Sequence, residues 1–558
     1  MVARSIFSTG IFFGSVLFGA LTPPDTIRMV DTVIRGGMIY DGSGAPAFSG
    51  DIAIHNDTIV AIGDIGRTRG VKEIDARGLA VTPGFINMLS WADKTLLLDG
   101  RAVSDITQGI TLEVMGEGWS PGPVKRRPSE KGDSAWTTLG GYYDYLSKRG
   151  FSPNVASFVG HTSVRNCVLG YESVTPTAWQ LEEMKRLVAE AMEDGALGLG
   201  TSLIYPPASY AKTDELTALA KVAASYGGMY ITHMRSEADF ILDAVDEALT
   251  IGREAAIPVE IYHLKVNMSR NWNKLDTVLY KIDSARRAGL KVTANMYPYA
   301  ASATGLTSRL PNWIQEGGAR AMRKKLLNPT LRKKVLYEMA KGIPYKNSDP
   351  ADVMLLAFAS DSLNALYKGK RLDEVARLHG RDPDETVIDL IVEDKSRIET
   401  VYFLISEENV RRIVQLPYVS FGTDAGSLAN TPVFEGWSVH PRAYGTFPRV
   451  LAKYVREEKL LTLEEAIRRM TSLPASNLNL EKRGLLKPGW YADVVVFDPE
   501  NVQDHATFEN PAQYSTGILH VFVNGAQVLD NGEHTGALPG RVLRGKGYQA
   551  EELLADEQ

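Results

Sequence analysis

The residues in this chain best placed to do chemistry share one trait: each stands just beyond an apolar run. Glu117 follows Thr111–Met115, His161 follows Ala156–Gly160, His233 follows Met229–Ile231, and His263 follows Val259–Tyr262. Tyr297 follows Val292–Met296, and Asp424 follows Tyr418–Gly422. Of only nine histidines, three fall at such places, which scattered histidines would not be expected to do. Two imidazoles and a carboxylate from neighbouring strands can converge on one cation, and nitrogen and oxygen donors of this kind suit zinc. Zinc lowers the pKa of a bound water toward about 7. Asp424 could then take that water's proton and return it to a leaving nitrogen. Each residue also has a plainer use. His233 and His263 could be hydrogen-bonded core histidines, and Asp424 could cap a helix or make a turn. Glu117 lies between glycines and could face water, His161 could open a helix, and Tyr297 could simply pack.

Something must bring these residues to one place. With Ala80–Met88 and Ala196–Thr201, the apolar runs make eight strand candidates. Amphipathic helices lie between several of them, such as Trp179–Met192 and Thr213–Tyr226. Eight buried strands joined by helices imply a (β/α)8 TIM-like barrel over residues 83–484, and such barrels carry their active sites at the C-terminal strand ends. The stretch of about 306–417 is too long for one connection and reads as a mostly helical insertion over the barrel mouth. Residues 31–82 read as short strands (Thr32–Arg35, Asp51–Ile54, Thr58–Ile62), with Gly36-Gly37 and Asn56-Asp57 as turns. Residues 485–545 have the same texture, and Asn524-Gly525 is a strong hairpin turn. The two ends therefore build one small composite β-sandwich domain, and residues 546–558 form a tail.

The remaining features bound the function. The net charge of −6 argues against a nucleic-acid partner, which calls for a basic surface. Cys167 is the only cysteine, so neither an internal disulfide nor a thiolate cluster is available. Residues 1–24 read as a signal peptide: Arg4, an apolar run from Ile6 to Leu21, then Pro23-Pro24. That predicts a periplasmic or secreted protein, held at a membrane only if this segment stays uncleaved. The partner expected is a small-molecule substrate, and a homo-oligomer is left open.

A resemblance now attaches to the same residues. Thr232-His233-Met234-Arg235-Ser236-Glu237, Tyr262-His263-Leu264-Lys265, Tyr297-Pro298-Tyr299, Gly422-Thr423-Asp424 and His440-Pro441-Arg442 together resemble the N-acyl-D-amino-acid deacylase (D-aminoacylase) family of the metal-dependent amidohydrolases. The likeness runs from about Thr32 to Gly545. It implies zinc on His233 and His263, a general-base aspartate at Asp424, and a grip on a substrate carboxylate by Lys265, Tyr297 and Arg442. The family's third ligand is a cysteine; the aligned segment Gly116-Glu117-Gly118-Trp119-Ser120 puts Glu117 there. The family's His-x-His pair after Pro-Gly-Phe-Ile is replaced by Leu89 and Trp91, which removes the second metal position and offers an apolar wall to the substrate, with His161 nearby. One zinc per chain and hydrolysis of a linear amide are the expectation. Hydrolysis of a cyclic amide or dipeptide, or acylation in reverse, is a second reading. A binding protein that has kept the fold without the chemistry is a third.

Overall fold

The computed structural model describes residues 28–125, 136–341 and 348–549. The apolar segment at 1–24 and most of the tail lie outside them. Among the described residues, no helix is long and apolar enough to cross a membrane.

All eight strand candidates are present. The barrel runs in order through Phe85–Asn87, Ile110–Met115, Asn154–Ser157 continued by Val159–Gly160, Gly198–Ser202, Met229–His233, Val259–Ile261, Val292–Met296 and Val419–Phe421. Neighbours pair in parallel throughout. The ring closes where Met88 N donates to Phe421 O at 3.2 Å and Asp424 N donates to Leu89 O at 2.9 Å. The bore is packed with Ile86, Met88, Leu89, Val114, Phe158, Ile231 and Tyr262, so it is a core and not a channel. The helix read as Trp179–Met192 spans Ala178–Glu193. Thr177 starts it with a capping box: its hydroxyl oxygen accepts from Gln180 N, and the Gln180 side chain accepts from Thr177 N.

Three expectations need correction. The run Ala80–Met88 is two strands, not one. Ala80–Pro83 pairs antiparallel with Val494–Phe497 in the outer sheet, and only Phe85–Asn87 enters the barrel. Gly84 breaks the run, since a Cβ there would stand 2.0 Å from Thr111 Oγ1. Gly36-Gly37 is a bulge inside the strand Met29–Ile39, not a turn; Gly36 takes φ +67°, and the register with Phe48–His55 shifts there. The insertion is mostly helical, as read, but its bounds shift, because it also carries a small antiparallel sheet of its own in the order Ser302–Gly305, Glu399–Tyr402, Val353–Ala357. It begins before residue 306, and the helix Glu407–Val414 already leads into the last barrel strand.

The strands of both termini join in one nine-stranded sheet. Ile34, Ile52, Ile54 and Ile74 from the N-terminal part pack with Val494, Val496 and Phe522 from the C-terminal part, which makes the composite β-sandwich domain. Asn524 and Gly525, both at positive φ, close the hairpin of Ile518–Val523 with Ala526–Asp530.

Candidate active site and metal centre

Glu117 is delivered by its two glycines. Gly116 has φ +106°, and a Cβ there would lie 2.4 Å from Phe158 O; Gly118 has φ +70°, and a Cβ would lie 2.4 Å from Ser202 Cβ. No other residue fits at either position, so the segment folds tightly against the next strands and turns the carboxylate inward. His233 ends the fifth strand. His263 sits just past the sixth at φ +34°, with its backbone N–H bonded to Asn295 Oδ1 at 2.8 Å. Such a φ is uncommon outside glycine and marks a backbone held for its side chain.

The three side chains meet. His233 Nδ1 lies 2.7 Å from Glu117 Oε1, His263 Nε2 lies 3.1 Å from the same oxygen, and the two ring nitrogens are 3.0 Å apart. All three residues are buried, and theirs is the one group of three or more His, Cys, Asp or Glu among the described residues close enough to hold an ion. Donors on a tetrahedral zinc stand about 3.3 Å apart, given bonds of about 2.0–2.1 Å. The triangle is therefore nearly of metal size. Its electrostatics also call for a cation. Burial would raise the Glu117 carboxyl, but hydrogen bonds from His233 and His263 outweigh it and hold the group at about 2. Burial and Lys265 disfavour charge on His263, yet Glu237 and Glu117 push it up to about 9. The residues present fit a divalent metal.

Glu237, left without a role in the sequence reading, supports the ligands from behind. Its Oε1 lies 3.0 Å from His263 Nδ1, 3.8 Å from His233 Nε2 and 2.5 Å from Lys265 Nζ. A proton on His263 Nδ1, donated to Glu237, leaves Nε2 free to bind a cation. Glu237→Gln is accordingly expected to weaken metal affinity about 10- to 100-fold. Titration of metal into the stripped chain checks this; an unchanged affinity removes Glu237 from the centre.

Asp424, at φ +49°, leaves the eighth strand with both oxygens engaged. Trp91 Nε1 donates to Oδ1 at 3.0 Å, and Arg442 Nη1 stands 2.7 Å from Oδ2. A carboxylate has about four lone-pair sites, so acceptor capacity remains. Arg442 lies over the Tyr297 ring at 4.5 Å, and that ring is 6.2 Å from the His263 ring. The Arg442–Asp424 contact is ionic and not an aligned hydrogen bond. Arg442 Nε and Nη1 and the Tyr297 hydroxyl are thus buried donors without hydrogen-bond partners. Such donors are costly unless a ligand meets them.

His440 aims this arginine, a role the sequence signalled only through His440-Pro441-Arg442. Burial and the Arg442 charge push its pKa well below the ordinary value, so the ring is neutral, with one donor and one acceptor. Nε2 donates to Ala301 O at 3.1 Å, and Nδ1 accepts from Arg442 N at 3.0 Å.

Three expected substrate contacts are placed otherwise. Lys265 commits its ammonium to Glu237 Oε1 and His263 O, so with a proton on His263 Nδ1 it keeps at most one proton for a substrate carboxylate. Leu89 faces the packed bore instead of the site. His161 bonds Glu215 at 2.9 Å; Glu215 also pairs with Arg165, so this is a buried ionic cluster tying two helices together. Trp91 does reach the site, but as a donor to Asp424 rather than as an apolar wall. Tyr205 has no role in the sequence reading, yet its ring meets the His233 ring edge-on at 5.3 Å.

Residues 72–529 match the model of the amidohydrolase family. The chain belongs to that family. It is 35% identical to an N-acyl-D-aspartate deacylase of Alcaligenes xylosoxydans xylosoxydans over 94% of this chain and 96% of that one. It is 33% identical to a D-aminoacylase of the same organism over 92% and 97%. Among solved structures, it matches the N-acyl-D-glutamate deacylase of Bordetella bronchiseptica, complexed with zinc and a phosphonate mimic of the tetrahedral intermediate. The TM-score there is 0.78 at 32% identity, over 93% of this chain and all of that one. A D-aminoacylase structure, 31% identical, follows at 0.77 over 92% of this chain and all of that one. This amidohydrolase thus lies in the D-aminoacylase branch and is a metal-dependent hydrolase of linear amides.

Proposed function

We propose that this amidohydrolase cleaves N-acyl-D-amino acids to a carboxylate and a free amino acid, with one zinc ion per chain on Glu117, His233 and His263. The observation that carries this is the set of unspent donors on Arg442 and Tyr297, buried between Asp424 and the metal triangle. An N-acyl amino acid brings a carboxylate to those donors. A cyclic amide brings none. The D configuration is taken from the relatives.

A divalent metal held by Glu117, His233 and His263 would supply Lewis acidity for the water and the acyl carbonyl. The chain does the rest. Arg442 and Tyr297 hold the α-carboxylate and so fix where the amide lies. Asp424 accepts a proton from the attacking water and delivers it to the amide nitrogen as the C–N bond breaks. Trp91 and Arg442 keep the Asp424 carboxylate from rotating away. One zinc is the count proposed because Leu89 fills the bore and Trp91 is bonded to Asp424, where a second metal's histidines would stand.

The test is amine release by the zinc-loaded chain from N-acetyl D- and L-amino acids and from a cyclic hydantoin, beside its measured metal content. Release from the D series with about one zinc per chain is expected. Ring opening of the hydantoin without any amide cleavage would overturn the reading.

A further inference from the structure

The turn that carries Asp424 is gripped from behind by two side chains, Asn87 and Glu113, that have had no task so far. Residues 421–425 run beside 88–91 where the barrel closes. Along that seam Met88 N donates to Phe421 O, Asp424 N to Leu89 O and Trp91 N to Ala425 O, at 3.2, 2.9 and 2.9 Å. Thr423 N falls between these bonds, and Asn87 Oδ1 accepts from it at 2.8 Å. Asn87 Nδ2 spends one hydrogen on Thr423 Oγ1 at 2.8 Å and the other on Glu113 Oε2 at 2.7 Å. Gly422 allows the approach, since a Cβ there would stand 2.9 Å from Leu89 N and 3.4 Å from Asn87 Oδ1. One amide thus ties the second barrel strand to the eighth, one residue before Asp424. Asp424 itself sits at φ +49°, a backbone that a non-glycine residue keeps only where its neighbours hold it.

Glu113 is a costly anchor. Leu112 and Val114 turn into the bore, so Glu113 points outward, toward the helix Val103–Ile106, and is wholly buried. Asp105 of that helix faces it, buried as well, with the Tyr444 hydroxyl beyond. Burial lifts Glu113 to about 7, against hydrogen bonds from Ser90 and Asn87. Burial and the nearness of Glu113 lift Asp105 well above the usual carboxylate range. No lysine, arginine or histidine pairs with either acid among the described residues. An apolar residue would fill the same space without the cost of burying a carboxyl group. What Glu113 supplies, and an apolar residue cannot, is an acceptor for the Asn87 amide.

We infer that Asn87 and Glu113 are positioning residues for Asp424: Glu113 fixes the Asn87 amide, which holds Thr423 and so sets where the Asp424 carboxylate lies. The inference rests on the proton-carrying role of Asp424 proposed above. Trp91 and Arg442 restrain the carboxylate itself, whereas Asn87 restrains the backbone from which it grows. Such a tie acts on turnover and not on substrate affinity, because Arg442 and Tyr297 reach the α-carboxylate from other segments.

A double-mutant cycle on the zinc-loaded chain tests this, with N-acetyl-D-amino acids as substrates and kcat taken per bound zinc. Asn87→Ala is expected to lower kcat about 10- to 100-fold, as when a reacting group is displaced by about 1 Å, with KM within about twofold of the parent. Glu113→Leu leaves the bonds to Thr423 in place and should lower kcat about fivefold, as for one lost hydrogen bond. Glu113→Gln keeps an acceptor for Asn87 and should restore the parent rate. In the Asp424→Asn background the same changes should cost less than about twofold, since the group they position is gone. An equal loss in both backgrounds makes the pair merely structural and overturns the inference, as does a loss carried by KM, or no loss at all. Should Asn87→Ala not fold, the cycle with Glu113→Leu decides alone. If the parent turns over none of these substrates, it is the proposed function that fails, and the Trp91 indole N–H then decides. Its proton–nitrogen resonance, assigned by its disappearance in Trp91→Phe, reports the bond to Asp424 Oδ1. Asn87→Ala should shift that resonance and speed its hydrogen exchange; an unmoved resonance overturns the inference.

Discussion

Asp424→Asn lowers kcat by about 10³-fold, or about 4 kcal/mol of barrier, while zinc content stays that of the parent. The substitution keeps the shape of the side chain and the acceptor for Trp91 Nε1, but it removes the group that takes and returns the proton. It also strips Arg442 of its ionic partner at 2.7 Å. The guanidinium keeps its backbone aim through His440. Substrate binding therefore changes less than turnover does. Steady-state kinetics with metal analysis reads both quantities. A kcat within tenfold of the parent would mean that proton transfer is done elsewhere.

The second large effect is at Glu117. Its Oε1 lies close to both imidazole nitrogens, at 2.7 and 3.1 Å. In Glu117→Ala two buried imidazoles remain with no anion between them. Metal affinity should fall by more than the roughly 10- to 100-fold that loss of an outer partner such as Glu237 costs, and activity with it. Glu117→Cys supplies a thiolate at the same place, a ligand zinc accepts readily, and is expected to retain the metal. Thermal denaturation gives a readout independent of turnover. With free zinc at about a hundred times Kd, binding stabilises the folded chain by about 2.7 kcal/mol. The parent and Glu117→Cys should show that zinc-dependent rise in Tm, and Glu117→Ala should not. A rise of equal size in Glu117→Ala would remove Glu117 from the ligand set.

Much of this site could be read from one line of letters because the barrel converts sequence position into spatial position. A residue just past a buried strand lies at the mouth whatever its neighbours do, so Glu117, His233, His263, Tyr297 and Asp424 could be picked out by their place after apolar runs. The same rule misled at His161. It follows the third strand directly, but the helix His161–Leu169 starts there and turns the ring to Glu215. Leu89 was misread for a related reason, since a residue aligned with a metal-binding histidine of relatives need not face the same space once it is apolar and can pack into the bore.

The order of strands, the composite domain and the candidate metal-binding histidines follow from local periodicity and residue type, which are properties of the letters alone. Which donors are spent and which are free was decided by tertiary contacts between distant segments. Asp424 is held by Trp91 from 333 residues away, Glu117 meets His263 across 146, and His440, which aims Arg442, is itself tied to Ala301 across 139. Hydrogen-bond partners separated by a hundred residues or more leave no periodic trace, so only the folded chain shows that Glu117, Asp424 and Arg442 enclose one site.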